Sequence, residues 1–358
     1  MTETGQDFES FLQADFWLRF KSEFGWEAQR LREPDGSPGP GVLHRRLPLG
    51  NHLSYIPHAP LSIPDPDHFG DYLAQLAANN PTLVRFDLPW APGAESAARD
   101  LGLRPAGVTV QPPSTVVIDL DRDEDSLLKA MKSKTRYNVR LAAKRGVGVR
   151  IADLSELPRW YRLYQETSRR DRIAIHSEAY YRRLFEILRT IDGSDGATGS
   201  SGGAVKSGGP AGNSGGAGSL EVTRSPGSPR LLLYLAEHDG DLLAGNIVLE
   251  WAGTATYLYG ASSGLRRELM APYLLQWEAM RQAMARGCAR YDLFGIPPTP
   301  DPKHPMHGLY RFKTGFGGGI LHRLGAWDYP YAPVRYAVYR AAEGVRDYYY
   351  KVIRKRGR

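Results

Sequence analysis

The sequence lacks the features that mark secreted and membrane-spanning proteins. Cys288 is the only cysteine among 358 residues, so no intrachain disulfide can form, and the composition fits a reducing compartment. The opening residues, MTETGQDFES, are acidic and polar and do not resemble a signal peptide. No stretch approaches the roughly 20 consecutive apolar residues that a membrane-spanning helix needs. We therefore expect a cytoplasmic protein without a transmembrane segment.

Acidic side chains are in deficit, with 39 Asp and Glu against 46 Lys and Arg, and the formal charge is +7. This balance favours anionic partners such as nucleic acid, phosphorylated substrates or an anionic membrane face. A mildly basic enzyme without such a partner fits the charge equally well. The length allows two domains that each bury a core, and 42% hydrophobic with 24% charged residues is typical of a soluble globular protein.

One segment lacks apolar periodicity altogether. Between Asp192 and Ser219, 17 of 28 residues are Gly or Ser. Such a segment buries too little surface to offset the entropy lost on ordering, so we predict a disordered insertion over residues 192–229. A helical pattern precedes it and a strand pattern follows it, which favours a surface loop within a domain over a linker between domains.

The segment GLYRFKTGFGG, residues 308–318, places one lysine, Lys313, between aromatic residues and glycines. It falls short of a nucleotide-binding P-loop, in which Gly, four residues and Gly-Lys-Ser/Thr let backbone N–H groups wrap the phosphates. Phe312 stands where the second glycine is required, and its side chain would block that wrap. The segment therefore argues against a nucleoside triphosphatase. The glycines after Lys313 are predicted to let the backbone approach a substrate closely.

Two parts of the sequence share one order of elements, which predicts a duplicated α/β unit. In the first half, the strand HLSYIPHAPLSI is followed by the helix FGDYLAQLAANN, the strand LVRFDLPWAP and the helix GAESAARDLGLRPAG. In the second half, three strand-like runs between residues 230 and 262 predict antiparallel hairpins. The helix YLLQWEAMRQAMARG, with Pro272 at its start and Gly287 at its end, and the strand ARYDLFGIPP follow. RFDL at 85–88 aligns with RYDL at 290–293.

A basic stripe is predicted on the segment DEDSLLKAMKSKTRYNVRLAAKRG. Asp123 suits an N-cap and Gly146 a C-terminal end, so we predict one continuous amphipathic helix. Its buried face comprises Leu128, Met131, Thr135, Val139 and Ala142. The stripe beside that face comprises Lys129, Lys132, Arg136, Arg140 and Lys144. Few acidic residues can neutralise it, so an anionic partner is at least as well supported as a solvated face.

Three stretches carry a resemblance to a known family. They are KSKTRYNVRLAAKRG (132–146), RRELMAPYLLQWEAMRQAMARGCARYDLFGIPP (266–298) and HPMHGLYRFKTGFGGGILHRLGAWDYP (304–330), with a weaker match in FLQADFWLRFKSEFGW (11–26). Together they resemble the Fem family (FemABX) of peptidoglycan bridge-forming aminoacyltransferases. The resemblance implies an α/β (α+β) fold of two tandem GNAT-like domains. The sequence has no heptads, so it is similar to compact members without a coiled-coil arm, and we expect a monomer.

The resemblance also implies a division into domains and a reaction. We expect a first, precursor-binding domain over 1–146 plus about 322–358, and a second over 147–321 that carries the insertion. The reaction is attack of an amine of the peptidoglycan precursor's stem peptide on the ester of aminoacyl-tRNA. Ester to amide is downhill, so no ATP, cofactor or metal is expected. His304 and His307 could in principle bind a metal, but are interpreted as loop-structuring residues.

Site residues follow from the resemblance position by position. Lys313 and Phe312 match family residues proposed to stabilise the tetrahedral intermediate and the terminal adenosine, while Tyr310 is a core or pocket-wall residue. Asp87 corresponds by position to an aspartate near the acceptor peptide, and is our candidate base. An acidic cap, or proton transfer assisted by the substrate, stays open for Asp87, and Asp292 ends the equivalent strand of the second repeat.

Contacts to the two substrates complete the prediction. Lys21 matches a lysine that contacts the precursor's diphosphate. The second diphosphate contact falls at IHSEAYY, where His176 and Tyr180 stand; a histidine in place of the family's arginine would bind phosphate more weakly at neutral pH. Tyr259 is a predicted pocket residue. Lys132, Arg136 and Arg140, in the basic stripe, would contact tRNA.

Three matters stay open at this point. The precursor is either lipid-linked or UDP-linked. The segment RDYYYKVIRKRGR, residues 346–358, carries six basic residues against one aspartate and would touch tRNA or the inner membrane face, unless it is simply solvated. Two other functions remain, an N-acyltransferase using acyl-CoA and a non-catalytic RNA-binding protein. For the first, SSGLRRELMAP offers only Gly264 for a pyrophosphate-binding turn.

Overall fold

Two β-sheets organise the protein, whose computed structural model describes residues 9–191 and 228–348. The helices are α1 (Asp15–Ser22), α2 (Pro66–Leu76), α3 (Glu95–Asp100), α4 (Glu124–Ala130), α5 (Ser133–Lys144), α6 (Leu157–Asp171), α7 (Glu178–Ile191), α8 (Ala271–Ala285), α9 (His307–Lys313) and α10 (Pro333–Tyr348). The strands are β1 (Glu27–Arg32), β2 (Pro38–Arg46), β3 (His52–Pro57), β4 (Leu83–Leu88), β5 (Arg104–Pro105), β6 (Ser114–Asp119), β7 (Gly148–Ala152), β8 (Arg230–His238), β9 (Asp241–Trp251), β10 (Thr254–Ser262), β11 (Arg290–Ile296), β12 (Gly319–His322) and β13 (Gly325–Tyr329).

The two sheets repeat one unit. The first has the order β1-β2-β3-β4-β13-β5 and the second the order β7-β8-β9-β10-β11-β6-β12. Among the described strands, each sheet holds one parallel pair, β3·β4 joined through α2 and β10·β11 joined through α8. The predicted hairpins β8·β9 and β9·β10 are antiparallel, as expected. The expected α/β class with two tandem repeats is therefore confirmed.

The repeats exchange a strand. β6 follows β5 along the chain but pairs in the second sheet, between β11 and β12. β13 follows β12 but pairs in the first sheet, between β4 and β5. The two crossing connections touch, because the Arg323 N–H donates to the Pro113 carbonyl at 2.8 Å. Each sheet is thus completed by a strand from the other half of the chain, which joins the repeats covalently and by hydrogen bonds.

The sheet membership differs from the expected division at residue 146. Residues 114–146 supply β6, α4 and α5, and their apolar side chains Val116, Leu127 and Val139 belong to the core of the second repeat. The physical reason is the strand exchange, since β6 enters the second sheet about thirty residues earlier than the sequence division assumed. β13 and α10 attach to the first sheet.

The predicted single basic helix is wrong in one respect, because it is two helices. Asp123 caps the first as expected, its side chain accepting the Ser126 N–H at 2.8 Å, and Gly146 follows the second with φ +77°. Between them Met131 and Lys132 are extended, with ψ near 145°. The Lys132 N–H donates instead to the Gly315 carbonyl at 2.9 Å, so a tertiary contact replaces the helical bond that a continuous helix would make.

The amino-terminal part of the chain bridges the repeats. Phe16, Trp17 and Phe20 of α1 share a core with Trp160 of α6 and Tyr181 of α7. The predicted insertion over 192–229 lies almost wholly outside the described residues, as does most of the basic segment 346–358. Among the helices that the structure describes, none combines the length and the apolar character needed to cross a bilayer.

Candidate active site

The second sheet opens where β10 and β11 part. The parallel pairing joins Thr254–Thr256 to Arg290–Asp292 and then stops. Irregularities follow on both strands, between Tyr257 and Tyr259 and between Asp292 and Gly295. Such irregularities redirect side chains and backbone groups at the end of a pairing. The result is a gap between two strands whose carbonyl groups are free to accept other donors.

Lys313 fills this gap. It ends α9, is only 6% exposed, and donates from Nζ to the carbonyls of Phe294 at 3.2 Å and Gly295 at 2.9 Å. The same nitrogen lies 5.2 Å from the centre of the Tyr257 ring on β10. Burial lowers the pKa of Lys313 to about 7, while the nearby Asp292 carboxylate acts in the opposite sense. The ammonium has three donors, and the carbonyls take two of them.

Phe312 and Tyr310 stand beside the lysine on the same helix. Phe312 is half-buried and makes edge contacts with Tyr273 at 5.1 Å and Phe316 at 5.2 Å between ring centres. Tyr310 packs against the same core. Both therefore form part of a wall of aromatic rings next to Lys313, and part of the Phe312 ring stays accessible.

The glycines after Lys313 serve packing within the protein rather than approach to a substrate, which corrects that expectation. A Cβ at Gly315 would lie 2.3 Å from the Thr135 hydroxyl. At Gly317 and Gly318, which have φ of +89° and +79°, it would lie 2.9 Å from the Ala130 carbonyl and 2.4 Å from the Val117 carbonyl. Only glycine can bring this segment so close to α4, α5 and β6.

The basic stripe begins next to this segment. Lys132 is exposed and its Nζ lies 3.3 Å from the Thr314 hydroxyl. Arg140 is exposed further along α5. Arg136 differs, because one of its nitrogens donates at 3.2 Å to the carbonyls of Leu128, Lys129 and Met131 at the end of α4. Two of the three predicted tRNA contacts are thus available to an anion, and Arg136 is held by the protein.

The three predicted precursor contacts and the predicted pocket residue Tyr259 lie together, between α1 and the second repeat. Lys21 Nζ approaches the Tyr180 hydroxyl at 3.5 Å and lies 5.5 Å from the centre of its ring. His176 stacks on Tyr180 with ring centres 3.8 Å apart. The Tyr180 hydroxyl is also hydrogen-bonded to Tyr259. Tyr259 lies two residues beyond Tyr257, so β10 reaches from the Lys313 gap to this second cluster.

Lys21 brings positive charge to this cluster, and no carboxylate of the described residues forms an ion pair with it. Burial lowers the pKa of Lys21, and repulsion from Arg45 lowers it further. Burial and the charge of Lys21 likewise lower the pKa of His176. The nearby Glu23 forms an ion pair with Arg183, with 2.5 Å between Oε2 and Nε. Lys21 and Arg45 repel each other, and a bound anion would relieve that repulsion.

Asp87 is buried in the first sheet at the end of β4. One of its oxygens accepts a bond from the Tyr55 hydroxyl and from the Gln111 N–H at 3.3 Å, and the other, Oδ1, is buried with no partner. Burial raises the pKa of Asp87 to about 6, although the Tyr55 bond opposes the shift. A buried carboxylate oxygen without a donor is costly, so Oδ1 retains an unused capacity to accept a hydrogen bond.

Arg323 interacts electrostatically with both Asp87 and Asp292. Sequence reasoning missed this residue. Asp292 is buried at the equivalent position of β11, where it accepts bonds from the Thr115 hydroxyl and, at 2.7 Å, from the Phe294 N–H. Burial raises the pKa of Asp292, against the charges of Arg323 and Lys313. Burial lowers the pKa of Arg323, and Asp292 and Asp87 both counter that shift. Arg323 lies in the short connection between β12 and β13, where the chain passes from the second sheet to the first. That arginine is the signal in the sequence.

Two cavities adjoin these groups. A small one of about 10 Å³ is lined by Asp292, Arg323, His58 and Ser10, among others. It shares Ser10 and His58 with an open cleft of about 1070 Å³ that runs between α1 and the first sheet. Arg30, Glu33 and other polar side chains line the cleft. The two cavities therefore adjoin at Ser10 and His58, and the small one extends from there to Asp292 and Arg323.

Comparison with known proteins agrees with this architecture. Residues 96–190 and 234–344, more than half of the chain, match the FemAB family. The chain is similar to the lipid II:glycine glycyltransferase of Staphylococcus epidermidis, with 22% identity over 89% of this chain and 87% of the relative. The Staphylococcus aureus enzyme of the same name is 24% identical over 62% of this chain and 59% of its own length.

Two solved structures share the fold. The crystal structure of FemX superposes with a TM-score of 0.69, at 20% identity, over 89% of this chain and 92% of FemX. The C-terminal domain of a putative lysylphosphatidylglycerol synthetase from Agrobacterium fabrum gives a TM-score of 0.53, at 12% identity, over 92% and 94%. At these identities the likeness concerns the fold alone.

Proposed function

The chain belongs to the FemAB family, and from that membership we propose that it transfers an aminoacyl group from aminoacyl-tRNA to an amine of the peptidoglycan precursor. Two relatives are named lipid II:glycine glycyltransferases, so lipid II is the acceptor we infer. The observation that carries the proposal is Lys313, a buried cation at the end of two separating strands. Acyl transfer needs positive charge beside the carbonyl oxygen that becomes an oxyanion, and Lys313 would supply that charge.

Lys313 supplies that charge as the reaction proceeds. The amine nitrogen attacks the ester carbonyl carbon, the carbonyl oxygen becomes an oxyanion, and the C–O bond to the ribose then breaks. Two ammonium protons of Lys313 are held by the Phe294 and Gly295 carbonyls, which leaves the third available to the oxyanion. A preorganised donor in a water-poor site stabilises a developing oxyanion strongly.

The donor substrate approaches from the α9 side. The accessible face of Phe312 offers a surface on which the terminal adenine stacks. Lys132 and Arg140 lie outward from that point and would contact backbone phosphates of the tRNA. This assignment predicts tRNA binding that weakens as the salt concentration rises.

The acceptor approaches from the cleft beside α1. Lys21, with Tyr180 and His176, would hold the diphosphate, because Arg45 repels Lys21 and no carboxylate of the described residues forms an ion pair with it. Asp87 would accept the proton that leaves the attacking ammonium, through its unpartnered Oδ1. The departing ribose oxygen takes up the proton that the attacking nitrogen releases as the amide forms. The protein, on this proposal, works as a monomer that meets the membrane at the inner face, where its acceptor lies.

The decisive experiment follows labelled amino acid from a panel of aminoacyl-tRNAs to lipid II and to the UDP-linked precursor. We expect transfer by the wild type and a loss of at least about a hundredfold in kcat/KM for Lys313→Ala. Lys303→Ala, an exposed lysine in the preceding loop, is the matched control and should transfer normally.

The alternatives give different results in the same assay. Salt-sensitive tRNA binding without transfer to either acceptor would support a non-catalytic RNA-binding protein. Transfer from an acyl-CoA but not from any aminoacyl-tRNA would support an N-acyltransferase. Normal transfer by Lys313→Ala would reject the site assignment and leave the function standing.

A further inference from the structure

One aromatic side chain of the described residues differs from the rest in its exposure. Tyr137, on α5, is 62% exposed, whereas every other aromatic side chain that the structure describes is buried or half-buried. The Tyr137 hydroxyl makes no hydrogen bond, and its ring makes no aromatic or cation–π contact, with any described residue. A single exposed apolar residue is ordinary, but tyrosine is enriched at binding surfaces, where its ring packs and its hydroxyl stays wet. The neighbours of Tyr137 therefore decide what the ring is available to.

Those neighbours are cations. Lys134 and Arg140 lie three residues before and three residues after Tyr137, and Lys144 follows four residues beyond Arg140. Side chains at these spacings are neighbours on one side of a helix, and all four are exposed. No described carboxylate forms an ion pair with any of the three cations. We call Lys134, Tyr137, Arg140 and Lys144 the outer face of α5.

The opposite side of α5 is fixed in the core of the second repeat. Thr135, Asn138, Val139 and Ala142 are buried. The Thr135 hydroxyl lies so close to Gly315 that a Cβ there would be 2.3 Å away. The helix therefore cannot turn Tyr137 inward without bringing these buried groups into water, and the outer face stays in solvent.

An exposed ring between unpaired cations suits single-stranded nucleic acid. Bases stack on an aromatic ring whatever their sequence, and lysine and arginine contact the phosphates. The outer face also lies near the proposed ester site. Lys132, at the start of α5, has its Nζ 3.3 Å from the hydroxyl of Thr314, which follows Lys313. Tyr137 is five residues further along, about 7.5 Å in helical rise. In a tRNA the nucleotides next to the aminoacylated adenosine are unpaired.

We propose that Tyr137 stacks on an unpaired base of the tRNA acceptor end, before the terminal adenosine, while Lys134, Arg140 and Lys144 contact its phosphates. This rests on the proposed function in that aminoacyl-tRNA is the inferred donor. An anionic lipid surface fits less well, because a helix that lies on a membrane presents several apolar side chains together. The outer face of α5 offers the Tyr137 ring alone.

Binding of tRNA to the full-length protein at several salt concentrations tests the proposal. The probe is labelled, uncharged bulk tRNA. Tyr137→Ala should raise the Kd roughly tenfold through loss of stacking and leave the slope of log Kd against log salt unchanged, because the ring carries no charge. Tyr137→Phe keeps a stacking ring and should bind like the wild type. Arg140→Ala should flatten the slope instead.

Leu49→Ala is the matched control, since Leu49 is an 87% exposed apolar residue in the first repeat. It should bind tRNA like the wild type. Both Tyr137 variants should denature at the wild-type urea concentration, because the ring makes no hydrogen bond or aromatic contact within the described protein. A Kd for intact tRNA that Tyr137→Ala leaves unchanged would overturn the proposal, as would equal weakening by Tyr137→Phe.

The same tRNA, trimmed by a 3′ exonuclease to remove its unpaired end, locates the stacked base. The wild type should bind trimmed tRNA more weakly than intact tRNA, and Tyr137→Ala should bind trimmed tRNA as the wild type does. A tenfold loss with both probes would overturn the assignment to the acceptor end. So would wild-type tRNA binding by Tyr137→Ala with reduced flotation on vesicles of equal parts phosphatidylglycerol and phosphatidylcholine, which would favour a lipid surface.

Failure of this inference and failure of the proposed function give separate readings. In the transfer assay Tyr137→Ala should raise the KM for aminoacyl-tRNA roughly tenfold and leave kcat near the wild-type value. The reason is that stacking away from the ester holds the ground state and the transition state alike. A loss in kcat with unchanged KM would overturn stacking as a binding contact. A wild-type protein that binds intact tRNA through Tyr137 but transfers nothing would retain the contact and reject the enzymatic function.

Discussion

At the scale of single residues, the proposed site combines two groups, Asp87 and Lys313, whose environments move their pKa values toward each other. Burial raises the pKa of Asp87 to about 6 and lowers the pKa of Lys313 to about 7. The proposed reaction needs Asp87 ionised and Lys313 protonated. Activity therefore depends on both groups over a narrow range of pH, which a measurement of rate against pH detects.

We expect kcat/KM to rise as the pH passes about 6, where Asp87 loses its proton, and to fall as it passes about 7, where Lys313 loses its own. Lys313→Arg should remove the falling limb, because a guanidinium stays charged. Asp87→Asn should remove the rising limb at a much lower rate. The ratio of wild type to variant cancels titration of the acceptor amine. A falling limb that persists unchanged in Lys313→Arg contradicts the role of Lys313.

Arg323 is expected to act as a positioning residue through the two carboxylates. Without its charge the pKa of Asp87 should rise further, so the rising limb of kcat/KM should move to higher pH in Arg323→Gln. Arg323→Lys keeps the charge and should restore most of the profile. A merely structural role for Arg323 would lower the rate at all pH values without moving the limb.

At the scale of elements, the break between α4 and α5 separates two kinds of basic residue. The sequence shows five cations at helical spacing and gives no sign that they differ. In the structure Arg136 closes the end of α4, whereas Arg140 faces outward. The distinction arises because Lys132 bonds to Gly315, which interrupts the helix and leaves carbonyls that need a donor.

Arg136→Ala should lower the free energy of unfolding by about 1 kcal/mol through loss of these bonds. Arg140→Ala should leave stability within about 0.5 kcal/mol, as surface substitutions do, but should weaken tRNA binding and flatten its salt dependence. Urea denaturation and tRNA binding at several salt concentrations measure the two effects. Equal stability of both variants would show that Arg136 does not cap α4.

At the scale of the whole molecule, the strand exchange and the α10 network tie distant parts of the chain together. Arg85 of β4 meets Asp328 of β13 and Glu343 of α10, more than two hundred residues away. Burial opposes ionisation of Glu343, but the bonds from Arg85 lower its pKa below the ordinary value of 4.5. The first sheet therefore depends on the last part of the described chain.

Glu343→Gln should lower the free energy of unfolding by about 2 kcal/mol at neutral pH, through loss of a charged hydrogen-bond partner. Because the pKa of Glu343 is lower in the folded state, its contribution is present above pH 4.5 and is lost as the pH falls through the folded value. The difference between variant and wild type should thus shrink in acid. Denaturation at pH 7 and pH 4 measures it, and a constant difference would contradict this account.

The sequence by itself determined the α/β class, the repeated strand-helix-strand unit, and the helix and strand types, because these follow from local periodicity and turn residues. Through the family resemblance, it also predicted Lys313, Lys21, Tyr180 and Asp87 as site residues. Only the tertiary structure decided that β6 and β13 change sheets, that Arg136 caps a helix, that the glycines pack against α4, α5 and β6, and that Arg323 faces two aspartates. Each of these depends on contacts between residues far apart in the chain, and local patterns carry no record of them.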